Sequence, residues 1–229
     1  MNNLLRVAMQ AVRAVPEVVQ YLSADTKDAL KSYDYFLSNI EGLVRGLYSG
    51  NVGGEFIDTF ANLISGQLLD AYEKAWFDEG FTEALPDYLQ ESYQATVSNQ
   101  YGFVDQFYRD IVDAQIDKTS IEPLMVRAQL WAQRWKESYN EAVRLIAVKN
   151  GSRLIWVEGD TMDKCAVCLA LDGIVAFASE WDILGVKPQN APNDKLTCGG
   201  WKCECKLTET EKRRSPNAYG RIEEILLMR

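Results

Sequence analysis

Histidine is absent from all 229 residues of the chain. Its absence excludes the Ser-His-Asp and Cys-His pairs of nucleophilic catalysis, the HExxH zinc site, and the side chain that most often exchanges protons near neutral pH. A glycosidase-like pair of carboxylates remains open, but no spacing among the 33 acidic residues singles out such a pair. The sequence therefore predicts that the protein is not an enzyme.

Long apolar runs and positive charge are also scarce. No uninterrupted apolar segment reaches the roughly 18–20 residues of a membrane span, and Arg6 and Arg13 make the N-terminal segment a poor secretory signal. We expect a protein kept in a reducing cytoplasm, where lasting disulfides are unusual. Residues 1–150 hold 13 Lys+Arg against 21 Asp+Glu, so we expect no specific nucleic-acid binding.

Helical periodicity dominates the first 150 residues. Apolar residues recur at three- and four-residue spacing in five segments: 3–23, 26–47, 56–77, 87–116, and a fifth that begins after the capping-box spacing of residues 119–122 and ends at Asn150-Gly151. Their Trp and Tyr stripes are typical of packing surfaces. The pattern predicts a helical domain over residues 1–150 with aromatic seams.

The periodicity changes after Gly151. Alternating, β-prone segments predict strands over residues 153–160, 174–181 and 201–207, with Asp172-Gly173 as a hairpin turn. Ser215 and Pro216 are typical of a helix start, so a short helix is expected at the end. The fold class predicted is α+β, mostly α: a helical N-terminal bundle, then a small cysteine-rich, zinc-ribbon-like β-hairpin subdomain (residues 151–229) that includes the short helix.

Five cysteines lie within this second region: Cys165, Cys168, Cys198, Cys203 and Cys205. A Cys-x-x-Cys turn followed by a second cysteine cluster beside a hairpin is the usual pattern of a structural zinc site, which takes four tetrahedral ligands. We predict Zn²⁺ bound by Cys165, Cys168, Cys198 and one of Cys203 and Cys205. Three alternatives stay open: a redox Cys-x-x-Cys, two disulfides with one free thiol, and buried cysteines without metal.

Residues from about 127 to 207 resemble the phage head morphogenesis, or Mu F-like minor head, proteins. The segments "AQRWKESYNEAVRLIAVKNG", "RLIWVEGDTMDKCAVCLALDGIVAF" and "CGGWKCECKL" carry the resemblance. Its most specific part is the set Trp156, Asp160, Cys165-x-x-Cys168, Leu171-Asp172-Gly173 and Cys203-x-Cys205. The family usually has a histidine before Cys-x-Cys. That histidine has no counterpart here, and Cys198 lies two residues further away.

The resemblance implies a minor head protein of a tailed bacteriophage. Such a protein lies at the portal vertex or in the head interior of the virion, and in the host cytoplasm during assembly. Its partners would be portal and capsid proteins, or copies of the same chain. It would act in head assembly or DNA delivery. The competing interpretation is an intracellular, zinc-stabilised adaptor module without a role in the virion.

Overall fold

The computed structural model describes residues 33–160, 164–200 and 203–228. The described residues form two compact units, divided between Ser138 and Tyr139. In chain order the elements are α1 (Tyr33–Tyr48), α2 (Phe56–Asp78), α3 (Asp87–Ile116), α4 (Glu122–Asn150), β1 (Arg153–Val157), α5 (Ala166–Leu171), β2 (Val175–Phe177), α6 (Ala178–Ile183), β3 (Lys206–Glu209) and α7 (Ala218–Leu227). The predicted class, mostly α with a small β portion and a short C-terminal helix, is confirmed.

The described part of the first unit is a helical layer with an aromatic core. Phe60 is fully buried, stacks on Phe56 with ring centroids 5.2 Å apart, and meets Trp131 edge-on at the same distance. Phe107 closes the cluster, 5.6 Å from Phe60. Because aromatic side chains bury a large apolar area each, this seam supplies much of the packing between α2, α3 and α4.

The helix boundaries follow the sequence signals closely. Helix α3 begins directly after Pro86 and spans the predicted residues, and α2 ends one residue beyond its prediction. Gly151 has φ +67, and the Ser152 N–H donates to the Ala147 carbonyl, 2.9 Å away, which gives α4 the left-handed end that Asn150-Gly151 predicted. The predicted helix over residues 3–23 lies outside the described residues, as does the start of the next one.

The division between the units falls inside α4, between Ser138 and Tyr139. The change of periodicity predicts a boundary at residue 150 instead. The last turns of α4 contribute to the second unit because Ala147 is part of its core and Arg144 pairs with Glu141 and Asp182. That residues 1–150 and 151–229 are separate domains stays a prediction.

A three-stranded antiparallel sheet organises the second unit, with β1 in the centre and the order β2-β1-β3. Leu154 pairs with Ala176 on one side and Glu209 on the other, and Trp156 pairs with Leu207. Within this sheet Leu154 and Trp156 point into the core, where the Trp156 and Trp181 rings lie 5.8 Å apart. The Trp181 indole N–H donates to the Leu154 carbonyl, 3.2 Å away.

Three local predictions for the second unit need correction. The predicted strand over residues 174–181 is a strand only to Phe177, and its second half is α6, which starts where the Glu180 carboxylate accepts the Phe177 N–H at 2.9 Å. The third strand begins at Lys206, after the cysteines rather than with them. The sequence predicts Asp172-Gly173 as the turn of a hairpin that follows a cysteine-containing loop. In the structure that loop is helix α5, and Asp172-Gly173 is the turn at its end.

Candidate metal centre

Three separate segments bring the cysteines to the core of the second unit. Cys165 directly precedes α5 and Cys168 lies in its first turn. Cys198 lies in the turn around residues 196–200, where the Gly199 N–H donates to the Leu196 carbonyl at 2.8 Å. Cys203 and Cys205 lead into β3. All five are free thiols, and they share the core cluster of Trp156, Leu171 and Trp181.

The sulfur atoms form two overlapping groups of three. In the first, which we call the inner triad, Cys168, Cys203 and Cys205 are all buried, and their sulfurs lie within 4.8 Å of one another. In the second, the rim triad, Cys168 meets Cys165 and Cys198 within the same distance, and the last two are partly exposed. Cys168 thus belongs to both groups and is the centre of the cluster.

Two glycines allow the backbone to close around the sulfurs. A Cβ on Gly159 would lie 2.4 Å from the backbone carbonyl carbon of Glu204, between the two cysteines of the Cys-x-Cys segment. A Cβ on Gly200 would lie 2.4 Å from the Asn190 carbonyl oxygen, and Gly200 has φ +79. Only a glycine permits these approaches without moving backbone. Both segments that carry the later cysteines are therefore held by direct backbone packing.

Backbone N–H groups point at four of the five sulfurs. The Gly159 N–H donates to Cys205 Sγ at 3.4 Å. The backbone N–H of Gln189 favours the thiolate of Cys203, that of Gly200 favours the thiolate of Cys198, and those of Cys168 and Cys198 favour the thiolate of Cys165. Donors of this kind stabilise a thiolate more than a thiol, and such outer contacts orient and tune metal ligands.

The thiols divide by their ease of ionisation. Hydrogen bonds from the Cys168 and Cys203 thiols lower the pKa of Cys205 to about 3, against the effect of burial. Burial also opposes ionisation of Cys165, but the backbone N–H groups of Cys168 and Cys198 outweigh it and lower its pKa to about 7. The contacts with Cys203 and Cys205 raise the pKa of Cys168, which is the donor in this arrangement.

These residues fit a metal ion. Thiolates are the ligands that Zn²⁺ and other soft or borderline ions prefer, and burial excludes competing water. The indole N–H of Trp156 is buried, has no conventional hydrogen-bond partner among the described residues, and contributes to lowering the pKa of Cys205. The cysteine groups lie close enough together to hold a metal ion.

The structure thus brings all five candidate cysteines together, and it adds residues around them that were not among the predicted site residues. Gln189 is a buried residue with φ +57 whose N–H meets Cys203 and whose side-chain oxygen accepts from Asn140 at 2.8 Å. Gly159 and Trp156 approach Cys205 from the end of β1. Gly159 could have been suspected from the sequence because a glycine within a strand-like segment often marks a close backbone approach.

Comparisons with known proteins add no further assignment: no protein-family model, curated protein or solved structure matches the chain. Among the described residues, no helix is both long and apolar enough to cross a membrane.

Proposed function

We propose that the protein is a minor head protein of a tailed bacteriophage, with a structural rather than catalytic role, whose second unit is stabilised by Zn²⁺ held in the cysteine cluster. The observation that carries the zinc assignment is the convergence of five free thiols on the buried sulfur of Cys168. Four thiolate ligands with no open position are typical of structural zinc, whereas catalytic zinc keeps a position for water.

The phage assignment rests on the resemblance of residues from about 127 to 207 to that family. The residues of the resembling set are parts of one compact arrangement rather than scattered matches. The Gly173 N–H donates to the Trp156 carbonyl at 3.0 Å, and the Asp172 carboxylate accepts the Glu158 N–H at 2.9 Å. Both bonds tie the Leu171-Asp172-Gly173 turn to the end of β1, beside the Cys-x-x-Cys segment. A set of residues joined in this way has a shared physical role.

The metal part of the proposal is tested by the metal content of the purified chain. Inductively coupled plasma mass spectrometry should find one zinc per chain after gel filtration in metal-free buffer. Cobalt substitution should give the absorption bands of a tetrahedral site with four thiolate ligands. A chain that holds no metal at neutral pH, with all five thiols reduced, would remove the zinc site from the proposal.

The virion part is tested by quantitative mass spectrometry of purified particles from the source lysate. We expect a few to a few tens of copies of this chain per particle, counted against the major capsid protein. A chain that is abundant in infected cells but absent from particles would contradict a virion role. It would favour the zinc-stabilised adaptor, which binds its partner without entering the head.

A further inference from the structure

The proposed zinc site has one thiol more than a tetrahedral ion requires. Four ligands at a Zn–S distance of about 2.3 Å place every pair of sulfurs about 3.8 Å apart. The Cys168 sulfur lies within 4.8 Å of each of the other four sulfurs, so all five cysteines are candidates. The question is whether one cysteine is permanently left over, or whether two share a position.

The inner triad has the features of fixed ligands. Cys168, Cys203 and Cys205 are 3%, 5% and 7% exposed. Gly159 packs against the backbone between Cys203 and Cys205 so tightly that no side chain fits. The Gly159 N–H and the Gln189 N–H each meet one of these sulfurs. Buried sulfurs on a backbone held in this way have little freedom to leave a bound ion.

The two rim cysteines stand in the same geometric relation to Cys168. Cys165 and Cys198 are both partly exposed, both lie within 4.8 Å of Cys168, and both lie within that distance of each other. Both rim sulfurs therefore lie beside the one sulfur, that of Cys168, which also belongs to the inner triad.

We infer that the site holds its metal ion with the inner triad and one exchangeable fourth ligand, Cys165 or Cys198, so that one rim thiol is free at any moment. This inference rests on the proposed zinc site and gives it a specific property. The free rim thiol is a reactive group next to a filled metal site. When the two rim thiols exchange, the ion stays bound to the inner triad. Only its fourth position, on the solvent-exposed side, changes ligand.

The test is alkylation of the zinc-loaded full chain with iodoacetamide, read by peptide mass spectrometry together with zinc release to a chromogenic chelator. We expect one alkyl group per chain while zinc stays bound, with part of the chains modified at Cys165 and the rest at Cys198. Chains that keep zinc should not be modified at both. Alkylation at Cys203 or Cys205, or at both rim cysteines with zinc retained, would overturn the inference.

Single substitutions supply a second readout. In the cobalt-loaded protein, Cys165→Ser and Cys198→Ser should each keep the four-thiolate absorption bands, because the other rim cysteine takes the position. The double variant should lose the four-thiolate spectrum. If one single variant loses it and the other does not, the fourth ligand is fixed and the exchange is wrong. A wild-type chain without bound metal would instead refute the proposed site itself, and the metal assay distinguishes that case.

Discussion

The two units of this chain have cores of different composition. The first buries Phe56, Phe60, Phe107 and Trp131 against one another, and its described core consists almost entirely of apolar side chains. The second places three of its five cysteines fully inside a smaller core, next to Trp156 and Trp181. A small unit with few apolar layers gains much from a bound metal, whereas a helical layer of this size does not need one.

This contrast predicts that the two units respond to different changes. A disturbance of the sulfur cluster should unfold the second unit and leave the first intact. A disturbance of the aromatic seam should unfold the first unit and leave the second unit folded, with its metal content unchanged. The experiments below test that separation, from the largest expected effect to the smallest.

Cys168→Ser should have the largest effect because Cys168 belongs to both sulfur groups. Structural zinc contributes on the order of 10 kcal/mol to the folding of small zinc domains, so we expect loss of metal and an unfolded second unit. Zinc content and far-UV circular dichroism would measure this. The matched control is Cys165→Ser, which should keep its metal. A Cys168→Ser chain with full zinc occupancy would contradict the central place of this sulfur.

Phe60→Ala should destabilise the first unit by about 4 kcal/mol, the usual cost of removing a fully buried aromatic ring. Denaturant unfolding would measure the free energy of unfolding, and zinc content should not change. Phe103→Ala is the control, since Phe103 is 63% exposed and its loss should cost within about 0.5 kcal/mol. Equal effects of the two substitutions would show that the aromatic seam is not the core of this unit.

Glu73 makes the stability of the first unit depend on pH. Burial, with a smaller effect from the Asp70 carboxylate, raises the pKa of Glu73 from 4.5 to about 7. The unfolded chain therefore releases this proton at lower pH than the folded chain, and stability falls as pH rises from about 4.5 through about 7. Above that pH range, ionisation of Glu73 lowers the free energy of unfolding by at most about 3 kcal/mol.

Glu73→Gln should remove this loss. We expect the variant and the wild type to be equally stable at about pH 4.5. At about pH 8 the variant should be more stable, by a part of the roughly 3 kcal/mol that the wild type loses. Thermal unfolding followed by circular dichroism at both pH values measures it. A stability difference between the two proteins that is the same at both values would show that ionisation of Glu73 is not its cause.

Gly159→Ala should have a modest effect on stability and a specific effect on the metal. The added Cβ must displace the backbone at Glu204, at a cost of about 1–3 kcal/mol, and it moves the N–H donor of Cys205. Loss of such an outer contact typically lowers metal affinity about 10–100-fold. Competition with a chelator of known affinity would measure this.

Gly102→Ala is the matched control for that substitution. Gly102 lies within α3, and a Cβ there would meet nothing within 4 Å. The control should keep full zinc affinity and gain about 0.5–1 kcal/mol in helix stability. Unchanged zinc affinity in Gly159→Ala would show that the close approach of β1 to the Cys-x-Cys segment does not position a ligand.

How well the sequence predicted the structure depends on the length of the pattern. Helices of more than twenty residues carry several turns of periodicity, and Pro86 and Gly151 mark two of their ends, so α3 and the end of α4 were predictable. Helices α5 and α6 have six residues each, too few for a helical period to differ from strand alternation. That is why residues 178–181 were assigned to a strand.

The candidate site shows the same limit in another form. Cysteine spacing was enough to predict a shared site, because Cys-x-x-Cys and Cys-x-Cys are local patterns. Spacing could not show that Cys168 is common to two sulfur groups, or that Cys203 and Cys205 are both buried, since these depend on how three distant segments pack. The part played by Gln189 leaves no local pattern in the sequence, and Gly159 stands out only as a glycine within a strand-like segment.

The most direct test of the account is limited proteolysis of the zinc-loaded chain before and after metal removal with a chelator, with zinc content measured in both samples. We predict that metal removal makes residues 151–210 sensitive to cleavage and leaves a resistant fragment from the helical unit. The same cleavage pattern before and after verified zinc removal would contradict the claim that the metal stabilises the second unit.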